Sequence, residues 1–260
     1  MKIRLIPILY FKNGSLVRSE NFDLHRILGD PFIQVERYNS WNIDEIIYID
    51  ISNKDEKFII KNKTFQNQIS FFDVIKKASS SCFSPIVFGG GIKNINDAKK
   101  YFQNGADKIS INDVALNNPK IISEFANIFG SQSIIVSIDI KKDNGKYKIF
   151  SHKKNETLEI NFLEYISEVE KRGAGEILLN SVDNDGAAKG YDIELIKLVN
   201  EKIDIPLIPC GGAGSFEHFE QLLQKTDLNA IAAGNIFNFT ERSYEKAKKF
   251  LKNRSFQLCF

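Results

Sequence analysis

Eight short runs rich in β-branched residues recur along this chain, and longer stretches with helical spacing of apolar residues separate them. The runs are RLIPILYF, DEIIYIDIS, SPIVFGGGI, ADKISIN, SIIVSIDI, GEILLNSV, IPLIPCGG and NAIAAGNIF. Strands that alternate with helices imply parallel βαβ units, because two parallel strands can be joined only by a crossover. No Pro/Gly/Ser-rich linker divides the 260 residues. Eight uninterrupted βα units favour a closed barrel over an open sheet.

The two halves of the chain resemble each other. IVFGGGIKNINDAKKYF aligns with LIPCGGAGSFEHFEQLL, DEIIYIDIS with GEILLNSVD, and ADKISIND with LNAIAAGN. LIPILYFKNG and IIVSIDIKKDNG are two copies of one element: an apolar strand, a lysine and a turn closed by glycine. The expectation is an α/β chain folded as a single (β/α)8 TIM barrel, with half-repeats of about 1–130 and 131–260 and two equivalent ligand sites at its C-terminal face. Within the repeat one position is unequal: Tyr10 stands opposite Asp139.

Charge narrows the partners. The net charge is +2 with both signs interspersed, so no basic face for nucleic acid is expected. No apolar run approaches the roughly 20 residues of a membrane span, and the opening MKIRLIPILYF reads as a strand rather than a leader. A cytoplasmic protein is expected. Three scattered cysteines, Cys82, Cys210 and Cys259, contain no CxxC pair and fit a reducing compartment with no metal site. No cofactor is expected.

FGGGI (Gly89, Gly90, Gly91) and CGGAG (Gly211, Gly212, Gly214) each end a strand and precede a helix. Glycines there let backbone N–H groups approach an anion and add the helix dipole; they also serve simply as tight βα turns. A symmetric pair of such loops suggests a ligand with a phosphate at each end. Asn112, Gly234 and Asn235 complete the two sites as donors, while Asp113 puts a negative charge beside the first. Asp139 ends the fifth strand, where burial would raise its pKa toward acid–base range, although an aspartate at a strand end equally caps the next loop. Asp183 and Asp185, with Gly186, lie in SVDNDG, a segment that can hydrogen-bond ligand hydroxyls or form an ordinary turn. At the opposite strand ends stand Arg4, Glu45, Lys108 and Glu176. Charges there are usually solvated; alternatively two cations and two anions close the barrel floor as a paired ring that acts as a gate. His25, His152 and His218 have no ligand spacing and read as surface or packing.

GGGI, ADKISIN, FGSQSIIVSID, GAGEILLNSVDNDG, GYDIELI and GGAGSFEHF resemble the HisF family, the cyclase subunit of imidazole glycerol phosphate synthase, across nearly the whole chain. The resemblance implies a barrel that receives ammonia from a HisH-like glutaminase docked at its floor and uses it on a phosphorylated small molecule with two phosphates. It makes Arg4, Glu45, Lys108 and Glu176 the ammonia gate, Asp107 a residue facing the glutaminase, and Gly89, Gly90, Gly91, Asn112, Gly186, Gly211, Gly212, Gly234 and Asn235 phosphate-site positions. Two strand-end aspartates are the family's acid and base. Asp139 matches one, and Tyr10 occupies the place of the other.

Further departures lie on the same face: Asp113 replaces a threonine, DRDGT has become DNDGA with Ala187, and the glycine-containing hairpin after the fifth strand reads SHKKNETLEI. IPILYFKNG, Asn180 and Cys210 are similar to the HisF-like acetamidino-modification branch of surface-polysaccharide clusters. That branch implies an ATP-dependent N-acetyl sugar amidotransferase as a further partner and an altered ammonia acceptor, and this is the leading expectation. The alternatives are a cyclase subunit of histidine biosynthesis, with Asp139 acting alone or with Asp183 or Asp185, and a non-catalytic scaffold that activates the glutaminase.

Overall fold

The computed structural model describes residues 2–20, 22–52 and 70–259. Among the described residues twelve strands run β1 (Arg4–Lys12), β2 (Ser15–Glu20), β3 (Leu24–Gly29), β4 (Ile46–Asp50), β5 (Ile86–Gly89), β6 (Lys108–Ile111), β7 (Ile134–Asp143), β8 (Lys146–Ser151), β9 (Glu156–Leu158), β10 (Glu176–Ser181), β11 (Leu207–Cys210) and β12 (Ala230–Ala233). Each of the eight runs read from the sequence contains one of β1, β4, β5, β6, β7, β10, β11 and β12. These pair in parallel in the order β12-β1-β4-β5-β6-β7-β10-β11, and β11 and β12 are neighbours across the remaining seam. The fold is a (β/α)8 TIM barrel.

Period-two alternation sorts the side chains. On β1, Leu5, Leu9 and Phe11 face the outer layer, while Ile6, Ile8 and Tyr10 fill the lumen with Ile47, Val87, Ile135, Leu178, Ile208 and Cys210. The same inward face carries Arg4 at the strand entrance and Tyr10 near the exit, so floor and top are linked by one column of residues. Outside the sheet, α1 (Pro31–Ser40), α2 (Phe71–Ser81), α3 (Ile95–Gln103), α4 (Asp113–Asn117), α5 (Lys120–Phe129), α6 (Phe162–Lys171), α7 (Ile193–Asn200), α8 (Phe216–Lys225) and α9 (Ser243–Lys252) cover the barrel. Asp30, Ser70, Asn94, Asn161 and Asp192 start five of them by accepting first-turn backbone N–H bonds.

Two antiparallel excursions exceed the eight-strand expectation. β1 turns into β2 through Asn13-Gly14, and β7 into β8 through Asn144-Gly145, all four with positive φ. Asn-Gly with both residues left-handed is the two-residue turn whose twist matches a hairpin. β3 and β9 then extend the two excursions over the C-terminal face.

Candidate functional site

At the floor, the inward residues of four strand entrances form a closed ring. Arg4 Nη1 lies 2.5 Å from Glu45 Oε2 and Arg4 Nη2 lies 2.6 Å from Glu176 Oε2. Lys108 Nζ lies 2.8 Å from Glu45 Oε1 and 2.5 Å from Glu176 Oε1. Each carboxylate bridges both cations, and Glu45 and Glu176 are buried. Burial alone would raise Glu176, but hydrogen bonds and charge from Arg4 and Lys108 hold its carboxyl below the usual range. The ring is charge-balanced, which is the condition for keeping ions out of water. Beside it, the exposed Asp107 accepts from Ile86 N at 2.8 Å and so caps the start of β5.

At the top, Asp139 is buried on β7. Its Oδ1 accepts from Asn180 Nδ2 at 2.6 Å and its Oδ2 from Asn112 Nδ2 at 2.7 Å. Asn180 Nδ2 also reaches Ser137 Oγ at 3.0 Å. The carboxylate requires donors, so it fixes the orientation of both amides. One result is that Asn180 Oδ1, buried, has no hydrogen-bond partner among the described residues. Asp139, Asn112 and Asn180 line a cavity of about 550 Å³ that extends to Gly90, Gly91 and Lys93.

Tyr10 points into the lumen and is 8% exposed. Burial pushes its phenol well above its ordinary pKa, with further contributions from the neighbouring Cys210, Asp185 and Asp139, so it is a neutral hydroxyl at the centre of the site. Tyr10 and Ile8 line the 550 Å³ cavity and also a second one of about 100 Å³, which reaches Gly211, Gly212 and Asn235. Two spaces that a ligand with two anionic ends would have to join thus meet at the Tyr10 ring.

The excursions supply the roof. Asp185 accepts from Ser19 Oγ at 2.6 Å and from Phe22 N at 3.1 Å, tying β2 and the turn after it to the end of β10. Phe22 has φ of 59°, a conformation that costs a bulky L-residue energy and persists where its surroundings hold it. Its ring stacks on His152, with centroids 4.7 Å apart. His152 sits in the turn between β8 and β9, packs edge-on to Phe150 at 4.9 Å, and places Nε2 3.4 Å from Asp139 Oδ2. Burial raises Asp185 above the usual carboxylate range, partly countered by its bonds from Ser19 and Phe22.

The glycine loops have a steric requirement of their own. Gly90 has φ of +109° and a Cβ there would meet Asp50 O at 2.2 Å; Gly212 has φ of +103° and its Cβ would meet Gly190 O at 2.0 Å. Tight turns therefore demand these glycines whether or not an anion binds. Gly91 differs, since a Cβ there would meet nothing within 4 Å, and it borders the large cavity.

Several sequence expectations change position. Asp183, exposed, accepts from Lys142 N at 2.7 Å and lines neither cavity. Asp185 lines only the smaller cavity and is engaged in the roof. Asn112 directs one amide hydrogen to Asp139 and Asn235 one to Ser19 O at 2.9 Å, which leaves each amide a second hydrogen to donate. Gly186 abuts the first excursion, where a Cβ would meet Ser19 O at 2.5 Å. Asp113 is paired with Lys153 at 3.7 Å. His25 and His152, read as surface or packing, line the large cavity, whereas His218 accepts from Gly214 N at 3.1 Å. The signal for His152 was available: it lies in the second copy of the hairpin element, the same excursion that carries Phe22 in the first.

Among the described residues no cluster of His, Cys, Asp and Glu could hold a metal ion, and no helix is long and apolar enough to cross a membrane. Residues 4–243 match the family model described as histidine biosynthesis protein. The chain is 39% identical over 257 residues to the imidazole glycerol phosphate synthase subunit HisF of Clostridium botulinum strain Okra, covering 98% of each chain. It is 39% identical to the same subunit of Sulfurisphaera tokodaii, with 98% of each covered, and 37% identical to that of Chlorobium phaeovibrioides, with 96% of each covered. These relatives are synthase subunits, and nothing in the matches favours the narrower sugar-amidination branch.

Proposed function

The chain belongs to the histidine biosynthesis protein family, among HisF subunits, and from that premise we propose that it is the ammonia-using synthase subunit of a glutaminase-coupled pair. Ammonia enters at the floor through the ring of Arg4, Glu45, Lys108 and Glu176, with Asp107 on the face toward the glutaminase, and is consumed at the Asp139 face. The observation that carries this reading is the column joining a charge-balanced floor to a buried carboxylate at the top of the same lumen. Ammonia brings N–H donors, and Asn180 Oδ1 is a buried acceptor lacking one.

The relatives' names extend the reading to imidazole glycerol phosphate synthase, with Asp139 in the acid–base role and Gly89, Gly90, Gly91, Gly211, Gly212 and Gly234 around the ends of a phosphorylated ligand. The test is formation of imidazole glycerol phosphate by the purified chain from the phosphoribulosyl formimino nucleotide and excess ammonium salt, which needs no partner. Asp139→Asn should abolish it.

A second reading rests on Tyr10. Its ring meets both cavities, which suits an acceptor seated in the 550 Å³ space alone. An acetamido group on a nucleotide-linked sugar, amidinated with the help of an ATP-dependent partner enzyme, is such an acceptor. Ammonium-dependent amidination by the reconstituted set, with no imidazole product from the chain alone, would select it.

A further inference from the structure

We propose that Asp139 and His152 form an acid–base dyad, in which Asp139 orients the imidazole and His152 presents its other nitrogen to the cavity as the group that moves the proton. This rests on the reading of the Asp139 face as the place where ammonia is used.

Asp139 is poorly placed to act alone. It is only 3% exposed, and both of its oxygens already accept amide hydrogen bonds, at 2.6 and 2.7 Å. One donor on each oxygen fixes the carboxylate in place and takes up part of its acceptor capacity. His152 has the complementary properties. Its side chain is 39% exposed, it lines the cavity, and its Nε2 is 3.4 Å from Asp139 Oδ2. That distance is long for a hydrogen bond, as catalytic contacts often are before a ligand closes the site. A carboxylate beside one imidazole nitrogen selects the tautomer protonated there and stabilises the imidazolium, the role of the aspartate in a catalytic triad. With Nε2–H directed to Asp139, the lone pair resides on Nδ1.

The ring is also held. Phe22 stacks on it and Phe150 packs at its edge, while Asp185 fixes the strained Phe22 turn through its backbone N–H. Asp185 is thus a positioning residue that acts through Phe22. A side chain in a surface turn that is clamped by two aromatic rings above a buried carboxylate is oriented for use.

The step balances without any further reactant. The ammonia lone pair forms a C–N bond to an electrophilic substrate carbon, and the π pair of that carbon moves to its heteroatom. Nδ1 takes a proton from the new ammonium nitrogen, giving an imidazolium facing Asp139, and delivers it to the heteroatom.

The first experiment is independent of substrate. Nitrogen-15 histidine labelling of the full chain, which has three histidines, and assignment by loss of one signal in His152→Gln, reports the neutral tautomer of His152. The Nε2-protonated form is expected; the Nδ1-protonated form, or an unbiased mixture, would overturn the dyad. The second compares ammonium-dependent imidazole glycerol phosphate formation in His152→Gln and wild type, with a fall in kcat of at least roughly 100-fold and little change in KM expected. Unchanged kcat would overturn the role of His152. Absence of turnover in wild type would count against the synthase reading, and the tautomer measurement would still decide the dyad.

Discussion

Arg4 Nη2 lies 2.6 Å from Glu176 Oε2, and the same carboxylate receives Lys108 Nζ on its other oxygen at 2.5 Å. Glu176→Gln leaves two cations with one anion at the floor, and loss of one partner from a buried ion pair costs about 3 kcal/mol. The urea midpoint at neutral pH should fall accordingly. Because Glu176 is held below its ordinary 4.5 in the folded chain, its contribution is full above that value and is lost as pH falls through the lower folded value. The difference between variant and wild type should therefore shrink below pH 4.5.

Asp185 has the opposite sign. Its carboxyl is raised above its ordinary 3.8 by burial, so ionising it opposes folding once pH rises above that value. Asp185→Asn keeps an oxygen for Ser19 and Phe22 and removes this penalty. Relative to wild type, the variant should gain stability as pH rises from 3.8 through the raised folded value, and the gain should then stay constant. Asp185→Ala, which removes the acceptor, should instead free the Phe22 turn and raise its hydrogen-exchange rate.

The glycine loops separate under alanine substitution. Gly212→Ala drives a methyl to 2.0 Å from Gly190 O at a φ of +103° and should cost several kcal/mol or prevent folding. Gly91→Ala meets nothing within 4 Å and has a φ of +64°, so it should cost about 1 kcal/mol of left-handed strain. A fold-preserving loss of ligand affinity at Gly91, measured by calorimetry with the formimino nucleotide, is the expected mark of an anion at that loop.

Tyr10→Ala should merge the two cavities, which both touch its ring, and should cost about 3 kcal/mol through the void it leaves. Tyr10→Phe should be close to neutral in stability. If the ring only separates the cavities, Tyr10→Ala raises affinity for ligands carrying two phosphates and Tyr10→Phe does not.

The barrel was legible in the sequence because its signal repeats: eight β-branched runs such as SIIVSIDI and GEILLNSV coincide with the eight parallel strands. The floor charges Arg4, Glu45, Lys108 and Glu176 stand out as charged residues at strand starts, but their closure into a ring is carried by the family resemblance and not by spacing, since charges at strand entrances are otherwise solvated. The roof was not legible in this way. Asp183 and Asp185 are two residues apart in one turn, yet one caps the outside of β7 and the other is buried beneath β2; local sequence does not encode that divergence. Asn112 looked like a phosphate donor because its loop resembles one, and only the register of β6 against β7 turns its amide to Asp139. Hydropathy and spacing mark elements of a fold and do not single out His152, whose place depends on two excursions meeting across the barrel mouth.

The decisive measurement is the ammonium-dependent rate at which the purified chain forms imidazole glycerol phosphate, compared with Asp139→Asn. Measurable turnover is expected in the wild type, falling by roughly 100-fold or more in the variant. A folded wild-type barrel with no turnover, or a variant as active as wild type, would contradict it.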